Sequence, residues 1–510
     1  MRWWKPLAFG LSLALLPGWA ASTEAAKKSN LQQLKPMPAW TELAKKGPAG
    51  QEQGAQASAM NQETLSVWWE TFHDPQLNQL IDKTLQNNRN LQAAQARVEQ
   101  ARAQLGISKG EMLPWLNAGG AWVRGQIPDS AAEPLTEMSP IPNMPLRSPK
   151  LNDQAAGLGI DASWEIDFFG RLKEGKRAAA HNLAAQQGAL YSTWVTLSAE
   201  TALNYISLRT LQQDLAIVQR HSELEGEKAE LLEDNYQAGL ASAYPVEAMK
   251  TQQQSTQAEI PALQQSIQET LTRLTILTGS EPGQLSDLLE PAPLPKVDAA
   301  LYNAIPADKL RQRPDIYAAE QKVLAQAAKT KQAKAELKPR FTLEGFLGLI
   351  TFGGANLFSS KAHSFAIAPT MTMPLFHGGV LRQNVKLQDA RTKQYQAEYE
   401  NTVLKAAGEV QDAMTSIAQE RERKENLTAG RESAQQAFDL AENRYQAGLS
   451  DYQPVLDSER TLLNLKRQEN RSQGQELADM IHLFKSLGGG WQPLEDAQLS
   501  EVANAGGKEK

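Results

Sequence analysis

The chain contains no cysteine in its 510 residues. Disulfides and thiolate metal sites are therefore excluded, and so is a lipid carried on an N-terminal cysteine. A spanning helix is missing as well. Beyond the first twenty or so residues, no stretch reaches the roughly 18 uninterrupted apolar residues such a helix needs. Any segment that enters a membrane has to use strands. An excess of positive charge is missing too: 52 Lys and Arg stand against 58 Asp and Glu, for a net charge of −6 and a pI of about 5.7. With no basic stripe, nucleic acid is not an expected partner. The six histidines show no H-x-x-x-H or paired spacing, so no metal site is expected.

Long stretches rich in Ala, Gln, Leu, Glu, Arg and Lys are what the chain does have. These are strong helix formers. Residues 1–21 read as a secretory signal: Arg2 and Lys5 precede the apolar run Leu7–Leu16, and Pro17-Gly18 breaks it. An uncleaved anchor is disfavoured because the run is short. Residues 22–66 lack periodicity and read as an extended arm. Order is expected to begin near Trp68, with Leu77, Leu80, Ile81 and Leu85 at helical spacing.

The rest is written twice. Asn90–Pro114 matches Asp315–Pro339, and Leu172–Gly279 matches Leu381–Gly488 without a gap. The expected division is a first repeat at 67–290, a second at 296–490 and a tail at 491–510. Each copy reads as helix, strand, loop, strand, very long helix, turn, helix. The first copy carries an additional Pro- and Ser-rich loop between about Val123 and Ala155.

The strands alternate with period two. Leu158, Ile160, Ala162, Trp164 and Ile166 share one face, against Gly159, Asp161, Ser163, Glu165 and Asp167. In the second copy Phe365, Ile367, Pro369, Met371, Met373 and Leu375 oppose Ser364, Ala366, Ala368, Thr370 and Thr372. Phe341, Leu343, Leu347 and Leu349 form a further apolar row. Such a pattern suits a barrel with lipid outside and water inside; a soluble sandwich is the other reading. Trp115, Trp122, Trp164, Phe168, Phe169 and Phe376 stand where aromatic girdles would lie. Four strands cannot close a barrel, and open edges are not tolerated in lipid. Several chains must contribute, and three would give twelve strands.

Arg171–Tyr236 and its counterpart from about Val380 to Tyr445 contain no proline, so each can run as a helix of roughly 100 Å. Leu208, Leu211, Leu215 and Val218 follow a coiled-coil seam, which fades into Ser222 and Glu225. The phrase YQAGL ends both long helices, at Tyr236–Leu240 and Tyr445–Leu449. Gly239 and Gly448 suit left-handed helix ends, Ser242 and Asp451 suit N-caps, and Pro245 and Pro454 suit the next first turn. Each phrase is the tip of a helical hairpin.

With these motifs in order, the sequence resembles the TolC-like outer membrane factors, near the multidrug efflux branch. The carrying phrases are Trp68–Ile81 (WWETFHDPQLNQLI), Trp164–Arg171 (WEIDFFGR), Arg311–Glu320 (RQRPDIYAAE), Pro374–Gly379 (PLFHGG) and Lys485–Trp491 (KSLGGGW). The resemblance implies a mainly helical fold with a transmembrane β-barrel: a homotrimer whose twelve-stranded barrel crowns a long periplasmic α-barrel. It implies a periplasmic adaptor (a membrane fusion protein) and an inner-membrane pump as partners, outer-membrane lipid around the barrel, and no cofactor. It also implies a passive exit duct for drugs or other small toxic compounds, with polypeptide secretion as the alternative. At the periplasmic tip it implies a gate, here Tyr445, Asp451, Asp457 and Arg460. Asp457 aligns with Ala248 in the first copy, so a ring would hold three carboxylates. Some members carry a basic residue where Ser450 stands and an aspartate where Pro454 stands.

Two look-alike motifs carry no weight. Gly106–Gly110 (GISKG) fits a hydrolase pattern that needs a strand and a sharp elbow, but it lies in a helical repeat. Gly157–Ala162 (GLGIDA) imitates a dinucleotide fingerprint inside an alternating strand. No enzyme is expected. A periplasmic coiled-coil adaptor would explain the hairpins but not the strands.

Overall fold

The computed structural model describes residues 65–124, 154–240, 242–297, 313–352 and 355–491. The expected leader, almost all of the arm, the Pro- and Ser-rich loop, Arg311 and the tail beyond Trp491 lie outside the described residues.

Each copy lays down a helix, two strands and a long hairpin. After a 3-10 turn at Trp68–Phe72, α1 (Pro75–Asn87) and α2 (Arg89–Gly110) lead to β1 (Trp115–Arg124) and β2 (Gln154–Ile166). Then come α3 (Arg171–Gln237) and α4 (Ala243–Leu277). The second copy gives α5 (Pro314–Ala335), β3 (Arg340–Phe352), β4 (His363–Thr372), α6 (Val380–Gln446) and α7 (Gln453–Ser486). The two long helices have 67 residues each, about 100 Å.

Helix ends follow local chemistry. Asp74 Oδ1 accepts the amides of Gln76 and Leu77 at 2.9 and 3.2 Å, and Asn88 Oδ1 does the same for Asn90 and Leu91. These are side-chain N-caps of α1 and α2. Both hairpin tips close with one motif. Gly239 and Gly448 have φ of 72° and 71°. Leu240 and Leu449 donate back to the carbonyls of Asn235 and Arg444, both at 2.8 Å. Only glycine enters that left-handed position without strain.

The caps on the far side of the tips differ from expectation. Tyr452, not Asp451, occupies the N-cap position of α7, in helical backbone. Ser242 does cap α4, but its hydroxyl makes no capping bond. Pro454 sits in the first turn of α7, where the missing N–H is no loss.

The sheet order is β1-β2-β3-β4, antiparallel throughout. Its register stacks the apolar residues. Ile160 faces Ala118 and Leu347, which in turn faces Phe365. Leu158 faces Leu349, and Trp164 faces Leu343. The outer strands β1 and β4 are each paired on one side only.

The helices bury narrow stripes. Leu91, Ala94 and Val98 of α2 pack on Leu190 and Leu197 of α3. The seam of α3 does not fade at Ser222. Val218, Ser222, Glu225, Ala229 and Leu232 are all buried, so the stripe continues with polar members in the middle. Arg209 of α3 is also fully buried. It donates to Gln76 Oε1 of α1, to Gln212 Oε1, and to the carbonyls of Leu288 and Glu290 after α4. It thereby ties three segments together. Tyr205 beside it donates to Asp74 Oδ2 at 2.6 Å; burial first, then that bond, push its pKa up to about 12.

Candidate functional site: strand wall and hairpin seam

One face of the sheet is apolar and open. Leu158, Ile160, Trp164, Leu347, Phe365, Ile367 and Met371 are all exposed. Water does not tolerate a contiguous face of that size without a partner. Trp122 and Trp164 lie on this row, but Trp115 does not. It pairs with Ser163 and so belongs to the opposite row, because alternation reverses the face at each residue. Met373, Leu375 and Phe376 follow the last strand residue, Thr372. Leu375 and Phe376 are nearly bare.

The other face is small and polar. Asn117 Nδ2 donates to Asp161 Oδ2 at 2.9 Å, linking β1 to β2. Phe346, opposite Asp161, rests on glycines. A Cβ on Gly159 would meet its ring at 2.6 Å, which no real side chain tolerates. At the foot of the sheet Glu165 accepts both nitrogens offered by Arg171, at 3.0 and 2.8 Å. This two-pronged pair fixes the entry of α3 beneath β2. His363 begins β4, and His377 follows it; both are exposed.

At the far end the two hairpin tips share one small core. Val246, Met249, Ala229 and Leu232 of the first hairpin pack with Tyr452, Val455 and Leu456 of the second. The Tyr445 ring meets Tyr452 edge-on at 4.8 Å. Burial drives the Tyr452 hydroxyl's pKa well upward, with help from Glu459. Asp457 and Arg460, three residues apart on α7, do not pair with each other. Asp457 is exposed and accepts from Gln453 Nε2 at 3.1 Å. Arg460 instead donates through Nε to Gln252 of α4. A guanidinium turned into the seam between hairpins loses water and takes the acceptor found there. Asp451 is exposed beside Ser450.

Several seam residues carry no signal in sequence. Asp214 of α3 is buried and holds two arginines of α7. Arg467 reaches Oδ1 at 3.0 Å, and Arg471 reaches Oδ2 at 2.7 Å. Arg467 also donates to Glu259 of α4 at 2.5 Å. Lower down, Lys228 donates to Glu459 at 2.8 Å. Just above the arginines, Gly474 of α7 meets α3 so closely that a Cβ there would clash with Thr210 Oγ1 at 2.2 Å. All these contacts join non-equivalent positions of the two copies, so repeat alignment does not reveal them.

An apolar sheet face with two open edges, above hairpins sealed by polar clamps, is the geometry of a wall section. The sequence profile described as "Outer membrane efflux protein" matches residues 80–280 and 305–489, most of the chain. The chain belongs to the outer membrane efflux protein family. Among curated relatives, the outer membrane protein OprJ of Pseudomonas aeruginosa is 30% identical over 465 residues, spanning 91% of this chain and 92% of that protein. The toluene efflux pump outer membrane protein TtgI of Pseudomonas putida is 29% identical, spanning 87% and 92%. Among solved structures, the outer-membrane channel OprN aligns with a TM-score of 0.78 at 30% identity, covering 86% of this chain and 94% of that one. VceC from Vibrio cholerae aligns with a TM-score of 0.75 at 28% identity, covering 84% and 99%.

This efflux protein is accordingly an outer-membrane channel of the Gram-negative type, with a helical periplasmic extension, and not an enzyme. The membership favours a lipid-facing wall over a soluble sandwich, because an outer-membrane barrel turns its apolar row to lipid and its polar row to water. GISKG lies within α2 and GLGIDA within β2, neither in the context its chemistry requires.

Proposed function

We propose that the protein is the passive exit duct of a tripartite pump. Three copies form the duct, a periplasmic adaptor grips it, and an inner-membrane transporter supplies the energy. The observation that carries this reading is the four-stranded sheet with β1 and β4 unpaired on their outer sides. Lipid offers no hydrogen bonds to such edges, so β4 of one copy must pair with β1 of the next. Three copies give twelve strands. Light scattering in mild detergent should return the mass of three chains. A stable monomer with its strands still folded would remove the duct reading.

The cargo follows from the relatives. Toluene and antibiotics appear in the names of efflux proteins 29% identical to this one, which supports drugs and other small toxic compounds over secreted polypeptides.

The resting gate is read at the second hairpin's tip. Three exposed Asp457 carboxylates would gather near the threefold axis with Asp451 close by. Tyr445 and Tyr452 pack the tip, and Arg460 ties it to α4. Asp457→Ala with Arg460→Ala should raise single-channel conductance in planar bilayers and weaken cation preference, because the first removes the ring charge and the second removes a tether. Leu231→Ala, exposed on α3, serves as control. Unchanged conductance and selectivity in the double variant would falsify the gate assignment while leaving the duct standing.

A further inference from the structure

The watery face of the sheet changes character along its length, and the change falls at one aromatic residue. Phe346 of β3 lies on this face, directly opposite Asp161 of β2. On the side of Phe346 nearer the helices the row carries Asn117, Asp161, Glu165, Thr342 and Glu344. On the far side it carries Gly119, Ala121, Gly157, Gly348 and Ile350. Acid and hydroxyl give way to glycine and aliphatic carbon.

The Phe346 ring does not stand out from the wall. It leans over the paired glycines Gly159 and Gly348. A Cβ on Gly159 would meet its Cζ at 2.7 Å, and a Cβ on Gly348 would meet the same atom at 2.8 Å. Glycine at both positions lets the ring lie flat against the backbone. One π-face is thus covered and the other is turned to the pore; the residue is half-buried.

The carboxylates beside the ring have no counter-ion. Asp161 is exposed, and its bond is to the neutral amide of Asn117. Glu344, two residues before Phe346 and diagonal to Asp161, is exposed with no ion pair or hydrogen bond among the described residues. The arginines at the foot of the sheet, Arg171 and Arg340, are both drawn to Glu165, at 2.8 and 3.6 Å. The space beside Glu344 is open: with Thr342, Thr370 and Thr372 it lines a cavity of about 500 Å³, the size of a small-molecule site.

We propose that Phe346, Asp161 and Glu344 form a transit site for organic cations in the barrel wall. The negative π-face takes the cationic head, the two carboxylates flank it, and the apolar body rests on the glycine and aliphatic wall beyond. An anion of the same shape is repelled, and a small cation without an apolar body gains only the charge. The inference rests on the reading of the protein as an exit duct with this face to water, and it names the class of cargo the wall favours.

The test is single-channel recording of the full chain in planar bilayers, with each probe on both sides. Benzyltrimethylammonium carries charge and apolar body, tetramethylammonium charge alone, and benzenesulfonate the ring with the opposite charge. Benzyltrimethylammonium should reduce the potassium current at lower concentration than either of the others. Phe346→Leu, which still covers the glycines, should weaken that block about two- to fivefold, the worth of an exposed cation–π contact. Phe346→Tyr should keep it. Asp161→Asn with Glu344→Gln retains the bond to Asn117, and it should weaken the block and its dependence on salt. Asp457→Ala should leave the block in place. A parent that does not prefer benzyltrimethylammonium overturns the proposal. So does an undiminished block in Phe346→Leu or in the carboxylate double variant, and so does a block lost in Asp457→Ala, which would place the cation at the tip. Should Phe346→Leu fail to assemble, the double variant decides. The potassium current itself reports the duct, so a conducting parent without that preference sinks this inference and leaves the exit-duct reading standing.

Discussion

Ile160→Lys is expected to block assembly in the outer membrane. Ile160 sits midway along β2, flanked in register by Ala118 and Leu347, on the row that faces lipid. A lysine at the hydrocarbon midplane of a barrel costs about 2–4 kcal/mol, and each copy in the assembled barrel bears the cost. Leu347→Lys on the neighbouring strand should behave alike. Met371→Lys should do less harm. It pairs with Phe341 near the end of β4, and the cost falls to about 0–1 kcal/mol near the interface. Asp161→Lys, one residue from Ile160 but on the watery row, should still assemble, losing only its bond to Asn117. The measurement is the amount of folded, heat-resistant protein in the outer-membrane fraction. Equal recovery of Ile160→Lys and Asp161→Lys would reverse the inside–outside assignment.

The parts legible in the sequence are those governed by local periodicity. The alternation over Leu158–Ile166 depends only on the pleat, and the register then placed its apolar members side by side. The long helices were legible because nothing between Arg171 and Tyr236 breaks a helix. The tips were legible because Gly239 and Gly448 serve a left-handed turn that other residues strain to enter. Trp115 was misread for a specific reason. Its position at a strand end suggested a girdle, but its parity sets its face. The capping role assigned to Asp451 failed because Tyr452 enters the helix one residue later, carrying its ring into the shared tip core. Asp457 and Arg460 stand one helical turn apart yet do not pair, because helix spacing states which residues are neighbours, not which way a long side chain turns. Arg460 had a buried amide to reach on the other hairpin. Pro261 and Asn470 stand at matched positions of the two copies, yet Pro261 is exposed within α4, while Asn470 donates to the carbonyl of Thr210 on α3. Duplication gave both hairpins the same frame, and the seam between them was written in the residues where they diverge.

Asp214→Ala should loosen that seam more than any other single change on it. Asp214 has no acidic counterpart in the second copy, where Arg423 stands, and its two arginines come from α7. Burying a carboxylate is tolerable only while cations satisfy it. Its removal leaves Arg467, largely buried, with Glu259 alone, and sets Arg471 free at the surface. Breaking a buried pair in this one-sided way costs about 3–5 kcal/mol; the exposure of Arg471 brings the expectation to about 2–4 kcal/mol. The loss falls on α3 against α7, below the tight Gly474–Thr210 approach and above the tip core. The second hairpin should therefore swing more freely below that approach, while the strands and the upper helices keep their packing. The expected result is faster hydrogen exchange confined to the lower parts of α3, α4 and α7, together with a higher open probability in bilayers. Assembly of the barrel should be unchanged. Asp214→Asn, which keeps the shape but loses the charge, should fall between the parent and the alanine variant. Exchange that rises equally in the strands would mean that Asp214 supports the whole fold and not the seam. Unchanged exchange throughout would mean that Glu259 alone suffices to hold Arg467, and the clamp would then belong to α4 instead of α3.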